Sequence, residues 1–137
     1  MPQYWILKTD TDTYSFDDLA REGRAVWDGV SNALALRHIR SMAKGDQVLI
    51  YHSGEEKAMV GLARVASAPY PDPKQDDPKL AVVDIEAGKR LPRPVTLAAV
   101  KADPAFADLA LVRMSRLSVI PASESHWKRL LTLADAR

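Results

Sequence analysis

VLIYHSGEEKAMVGLARV, residues 48–65, reads as two strands folded back on each other. Gln47 to Tyr51 is a branched and aromatic run of strand character. His52 to Lys57 is polar and turns the chain, and Ala58 to Ala66 resumes as a strand. Gly61 lies inside that second strand, where a glycine marks a bulge or a close approach by another group. A hairpin is an antiparallel unit, so the stretch predicts a sheet made mostly of antiparallel neighbours.

Working outward, Tyr4-Trp5-Ile6-Leu7 predicts a buried strand. Ser15 with Asp18 three residues on reads as a capping box, Leu19 and Ala20 give an apolar side, and Gly23 stops the helix. Ala25-Val26-Trp27 is extended and leads to the turn Asp28-Gly29. From Ser31 the period changes to helical. Ala35, Leu36, Ile39, Met42 and Ala43 fill one stripe, and Gly45-Asp46 ends the pattern. Leu34 lies off that stripe, near His38, as though it faces something else.

Further on, residues 69–78 carry four prolines and three aspartates and predict a loop. Leu80 to Ala87 predicts a strand, which Pro92 and Pro94 should interrupt. Thr96 caps a short helix over Leu97–Ala102, and another runs from Pro104 to near Leu109. Arg116 to Pro121 alternates as a strand, and Ser123 caps a last helix through Leu133 with Trp127, Leu130 and Leu131 inward. The expected fold is α+β: one domain over residues 1–137, a small, mostly antiparallel β-barrel with helices packed around it.

The composition narrows the function. There is no cysteine, which excludes disulfides, thiolate metal sites and thiol nucleophiles. The N-terminus lacks a secretory pattern, and no apolar run approaches the roughly 20 residues of a membrane span. A cytoplasmic protein without membrane attachment is expected. Nineteen Lys plus Arg against eighteen Asp plus Glu leave a charge of +1, so any nucleic-acid role rests on a local patch and a specific pocket.

Catalytic patterns are weak. His38, His52 and His126 lie far apart without metal-ligand spacing, and no phosphate loop or nucleophile elbow is present. His52 and Ser53 are neighbours on a strand and point to opposite faces, which suits no direct proton transfer. The chemistry-bearing side chains instead sit at element ends: Lys8-Thr9, Trp27 to Asn32, and His52-Ser53. Brought to one mouth, they offer an aromatic wall, an amide, hydroxyls and a cation, the parts that receive an unstacked base. Arg37, Arg40 and Lys44 on the following helix are candidates for the flanking phosphates. Each has a plain alternative: a core Trp, a helix cap at Ser31 or Asn32, and a solvated basic face.

Five stretches carry a family resemblance: YWILKTDTDTYSFDDL (4–19), VWDGVSNALALRHIRSMAKGD (26–46), VLIYHSGEEKAMVGLARV (48–65), APYPDP (68–73) and LVRMSRLSVIP (111–121). In this order they resemble the EVE domain family of the PUA-like superfamily, relatives of the YTH readers of methylated adenine. The resemblance implies a PUA-like barrel, no cofactor, and a pocket that binds DNA or RNA carrying a modified base. On the matching positions it implies ligand contacts from Lys8, Thr9, Trp27, Asn32, His52 and Ser53, and extends to Ser115 and Arg116. Many members read WDGVRNYQAR where this chain has Ser31, Ala33, Leu34 and Leu36 in place of Arg, Tyr, Gln and Arg. Leu34 thereby makes part of the expected pocket apolar. The expected function is a non-catalytic, monomeric reader of a modified base. The alternatives are a hydrolase using Lys8 or His52 beside Asp28, and a protein-interaction module built on the loop around Tyr70.

Overall fold

The computed structural model describes residues 2–77 and 79–136. The chain runs β1 (Tyr4–Asp10), α1 (Phe16–Glu22), β2 (Arg24–Trp27), α2 (Ala33–Arg40), β3 (Gln47–Ser53), β4 (Ala58–Val65), β5 (Tyr70–Pro71) and β6 (Ala81–Thr96). Then come α3 (Leu97–Ala102), a 3-10 turn at Pro104–Phe106, α4 (Ala110–Arg113), β7 (Val119–Ala122) and α5 (Glu124–Leu133).

The strands lie in the order β2-β6-β4-β3-β1-β7, with β5 beside β6. The β3–β4 hairpin is at the centre, as the 48–65 stretch predicts. What the sequence did not reveal is that β1 runs parallel to β3, from Tyr4 opposite Gln47 to Asp10 opposite Ser53. This central position explains why β3 buries every residue from Val48 to His52. The other described pairings are antiparallel. The ladder ends at β2 and β7, which do not pair among the described strands, so barrel closure is not seen there. The architecture is a mixed sheet with helices, α+β. On one side α2 packs against β6 and β7. Trp127 of α5 stacks on Tyr4 at 4.9 Å between ring centres.

Several boundaries move. Helix α2 ends at Arg40, where Ser41 is the cap, and not at Lys44. The reason is Asp46, whose buried carboxylate accepts from the backbone N–H of Ala43 at 2.9 Å and folds residues 41–46 into turns. The same carboxylate accepts from Gln3 N–H at 3.0 Å and Trp5 Nε1 at 3.0 Å. The helix expected from Pro104 to Leu109 is instead a single 3-10 turn followed by a separate α4. Strand β7 starts at Val119, because Arg116 and Leu117 belong to a turn closed by Leu117 N–H on the Met114 carbonyl at 3.0 Å. Part of the proline-rich loop is sheet: Tyr70 and Pro71 pair with Val82 and Ala81. Pro78 lies outside the described residues.

Prolines 92 and 94 do not break β6. Between Met59↔Val95 and Gly61↔Arg90 the ladder advances two residues on β4 and five on β6. Both prolines fall in that extra length, where no ladder N–H is required of them.

Gly61 is a close approach, as expected. A Cβ there would lie 2.2 Å from Cε1 of Phe16, a ring that is 2% exposed. The aromatic ring occupies the space a side chain would need. Gly61→Ala is therefore expected to destabilise the fold by about 2–3 kcal/mol through overpacking. Thermal denaturation checks this, and Phe16→Leu in the same chain should recover part of the loss. A Gly61→Ala protein as stable as the parent would show that the ring moves aside freely.

Candidate nucleic-acid interface

The C-terminal end of β1, the 10–15 turn and the strand-to-turn passage at β2 enclose a cleft of about 640 Å³. Lys8, Thr9, Tyr14, Arg24, Trp27 and Asp28 contribute to its walls. Trp27 ends β2 opposite Val83 and is 8% exposed, so its ring is mostly core with one part turned to the cleft. Tyr14 meets it edge to face, with ring centres 6.2 Å apart and an 80° angle. Together they form an aromatic corner. Tyr14 Oη donates to Glu22, and burial followed by that carboxylate pushes the phenol well above its ordinary range. It stays a donor.

The polar residues beside the corner are tied to one another. Thr9 Oγ1 donates to the Tyr14 carbonyl at 2.5 Å, and Ser53 Oγ donates to the Thr9 carbonyl at 3.2 Å. The parallel β1–β3 register makes this possible by setting Thr9 opposite His52 and Asp10 opposite Ser53. His52 is 4% exposed. Its Nε2 accepts from Phe16 N–H at 2.9 Å, so Nδ1 carries the proton and donates to Glu56 Oε1 at 2.7 Å. Phe16 is the first residue of α1, so His52 satisfies a helix N–H that lacks an intrahelical partner. Neither His52 nor Ser53 lines the cleft. His52→Ala should cost about 2–3 kcal/mol, because it leaves that buried N–H without an acceptor. Urea denaturation measures this, and an unchanged midpoint would remove the capping role.

Lys8 joins the cleft to a second hollow. Its Nζ donates to the Ser115 carbonyl at 2.8 Å and sits 5.7 Å from the centre of the Tyr51 ring. Burial holds its ammonium below the usual lysine range. The second hollow, about 380 Å³, is lined by Asn32, Leu34 and residues 113–117. Asn32 is the N-cap of α2, its Oδ1 accepting from Ala35 N–H at 3.0 Å. Leu34, off the helical stripe, is half-buried and lines this hollow.

Thus Lys8, Thr9 and Trp27 share one cleft, while Asn32, Leu34, Ser115 and Arg116 share its neighbour. His52 and Ser53 stand behind the first. The single cavity expected from sequence is two adjoining hollows, linked by the Lys8–Ser115 bond and by residues 30–32 and 115–118 of the chain. Arg37, Arg40 and Lys44 are exposed; Arg40 donates to the Lys79 carbonyl at 3.1 Å, and Lys44 lies beyond the helix.

Sequence reading missed Tyr14, Arg24, Lys74 and Ser118. Tyr14 sits in an aperiodic turn and Lys74 in the proline-rich loop, so neither carries a pattern. Arg24 pairs with Asp84 at 2.8 Å. Asp84 also accepts from Tyr70 Oη at 2.5 Å, which with burial pushes that phenol up to about 12. Tyr70 is therefore held in the fold.

The fold and site define a mixed α+β domain with an aromatic cleft at the ends of its central strands. The EVE domain family profile matches residues 3–133, and the chain belongs to the EVE domain family. A solution structure of a protein from Rhodopseudomonas palustris is 41% identical, with a TM-score of 0.92 over 97% of this chain and 93% of that one. The human THYN1 protein, solved in complex with 5-methylcytosine-containing DNA, is 25% identical, with a TM-score of 0.89 over 98% of this chain and 99% of that one. Thymocyte nuclear protein 1 of Mus musculus is 25% identical over 98% of this chain and 75% of its own length. No described helix is long and apolar enough to cross a membrane.

Proposed function

We propose that this EVE domain is a non-catalytic reader of a modified base in nucleic acid, with the base seated in the cleft against Trp27 and Tyr14. The observation that carries the reading is the aromatic corner with Lys8 at its rim, in a fold shared with a protein solved on 5-methylcytosine DNA. The aromatic faces supply stacking, and the ammonium meets the flanking phosphate. Thr9, His52 and Ser53 act through Tyr14 and Phe16, holding the corner in place. Asn32, Leu34, Ser115 and Arg116 meet what flanks the base, with Arg37, Arg40 and Lys44 further along the backbone.

The test is a fluorescence-polarisation panel of oligonucleotides, DNA and RNA, differing only in one modified base. One modified strand should bind about tenfold or more tightly than its plain counterpart, the scale of one base-specific contact. Equal binding across the panel would sink the reading. The hydrolase alternative loses one of its two acid/base candidates, since His52 lies behind the cleft with both ring nitrogens engaged.

Lys8 adds a pH signature. A bound phosphate favours the charged ammonium, so binding is linked to keeping that proton. Affinity should hold below the lowered Lys8 pKa of the free protein and fall as pH rises through it, before ordinary lysines near 10.5 titrate. Lys8→Gln should weaken binding and remove this early alkaline decline. A decline that persists in the variant would assign it to another group.

A further inference from the structure

Two large apolar side chains of this chain stand out as exposed: Val26 at 42% and Met114 at 44%. Both are at the mouth of the site, Val26 on the cleft and Met114 on the adjoining hollow. The charge pattern converges on the same place. Six arginines elsewhere are ion-paired. Arg37, Arg40, Arg113 and Arg116 have no carboxylate in salt-bridge range among the described residues, and all four lie on α2 or the 113–116 turn. These are the two segments that enclose the second hollow.

The turn is braced. Leu111 and Leu117 anchor it in the core on either side, and Leu117 N–H closes it on the Met114 carbonyl. Lys8 ties it to the cleft through Ser115 O at 2.8 Å, and through its own N–H on Ser118 O at 2.9 Å. Met114 is therefore presented on a fixed support between two cations, and its distance from the cleft is set by the Lys8 tether.

A base paired inside a duplex cannot reach an aromatic corner within a protein cleft unless it leaves the stack. The gap it leaves is unfavourable, and apolar side chains such as Met fill such gaps by entering between base steps. We infer that the 113–116 turn is a duplex-facing wedge: Met114 enters the space vacated by the extruded base, while Arg113 and Arg116 hold the phosphates beside it. This rests on the cleft being the base pocket. It adds that the substrate is double-stranded and that extrusion is aided by this chain.

The experiment compares one modified strand, alone and annealed to its complement, against parent and variant proteins. Met114→Ala should lower affinity for the duplex about tenfold while single-strand affinity stays within about twofold, since a single strand needs no gap filled. Met114→Leu should restore duplex binding. Arg113→Gln and Arg116→Gln should each reduce the slope of log affinity against log salt on the duplex by about one. An equal fall on both substrates, or no fall on the duplex, overturns the wedge while leaving the base pocket standing. A parent protein that binds neither form of any modified strand overturns the pocket and the wedge together.

Discussion

Asp46→Ala is expected to lower the melting temperature by about 10–15 °C. The carboxylate is 2% exposed and accepts from Gln3 N–H, Trp5 Nε1 and Ala43 N–H, each at 2.9–3.0 Å. Truncation leaves three donors at one spot without an acceptor, and each charge-assisted bond is worth more than a neutral one. Removing such a buried centre costs about 3–5 kcal/mol. For a domain of this size about 1 kcal/mol corresponds to roughly 3–4 °C. The bonds also join three parts of the chain: the start of β1, the end of the α2 turn, and the entry to β3. Asp46→Asn keeps one acceptor oxygen and should lose less than half as much. Calorimetry on both variants checks the ordering. An Asp46→Ala protein melting within about 3 °C of the parent would show that water or a shifted backbone replaces the carboxylate.

Replacing Trp27 should separate folding from binding. The ring is 8% exposed, so Trp27→Ala opens a core cavity and is expected to cost about 3–5 kcal/mol of stability. Trp27→Leu retains much of the apolar volume and should keep the fold, at a smaller cost of about 1–2 kcal/mol. It removes the aromatic face, and a stacking contact is worth about 1–3 kcal/mol, or roughly five- to 150-fold in affinity. The expected result is a folded Trp27→Leu protein with binding weakened on that scale for the modified strand. Parent-like affinity in a folded Trp27→Leu protein would assign Trp27 to the core alone. Tyr14→Phe, by contrast, keeps the edge-to-face contact at 6.2 Å and should leave stacking intact.

Much of the site was legible because end positions of strands and helices carry recognisable residues. Lys8-Thr9 closes β1 and Trp27 closes β2, and both reach the cleft. The caps were equally plain: Ser15 with Asp18, Asn32, Thr96 and Ser123 all start helices through short local bonds. What failed was the assumption that polar residues at strand ends point into one cavity. His52 and Ser53 turn toward α1 and Thr9, because β1 lies parallel to β3 and brings the partner residues there. The parallel pairing depends on two strands about 40 residues apart in the chain, and no local pattern encodes which strands become neighbours.

By itself the sequence determined the local units: the 48–65 hairpin, the capped helices, the obstructing Gly61, and the Trp27 turn. These follow from periodicity, capping chemistry and backbone freedom within a few residues of each position. The tertiary structure alone decided that Tyr14 meets Trp27, that Asp46 gathers three distant N–H groups, and that Lys8 reaches Ser115 to bind the Met114 turn to the cleft. Those contacts span up to 107 residues. They arise only when long-range strand pairing sets which surfaces face each other, and that pairing is paid for in chain entropy that no local segment reveals.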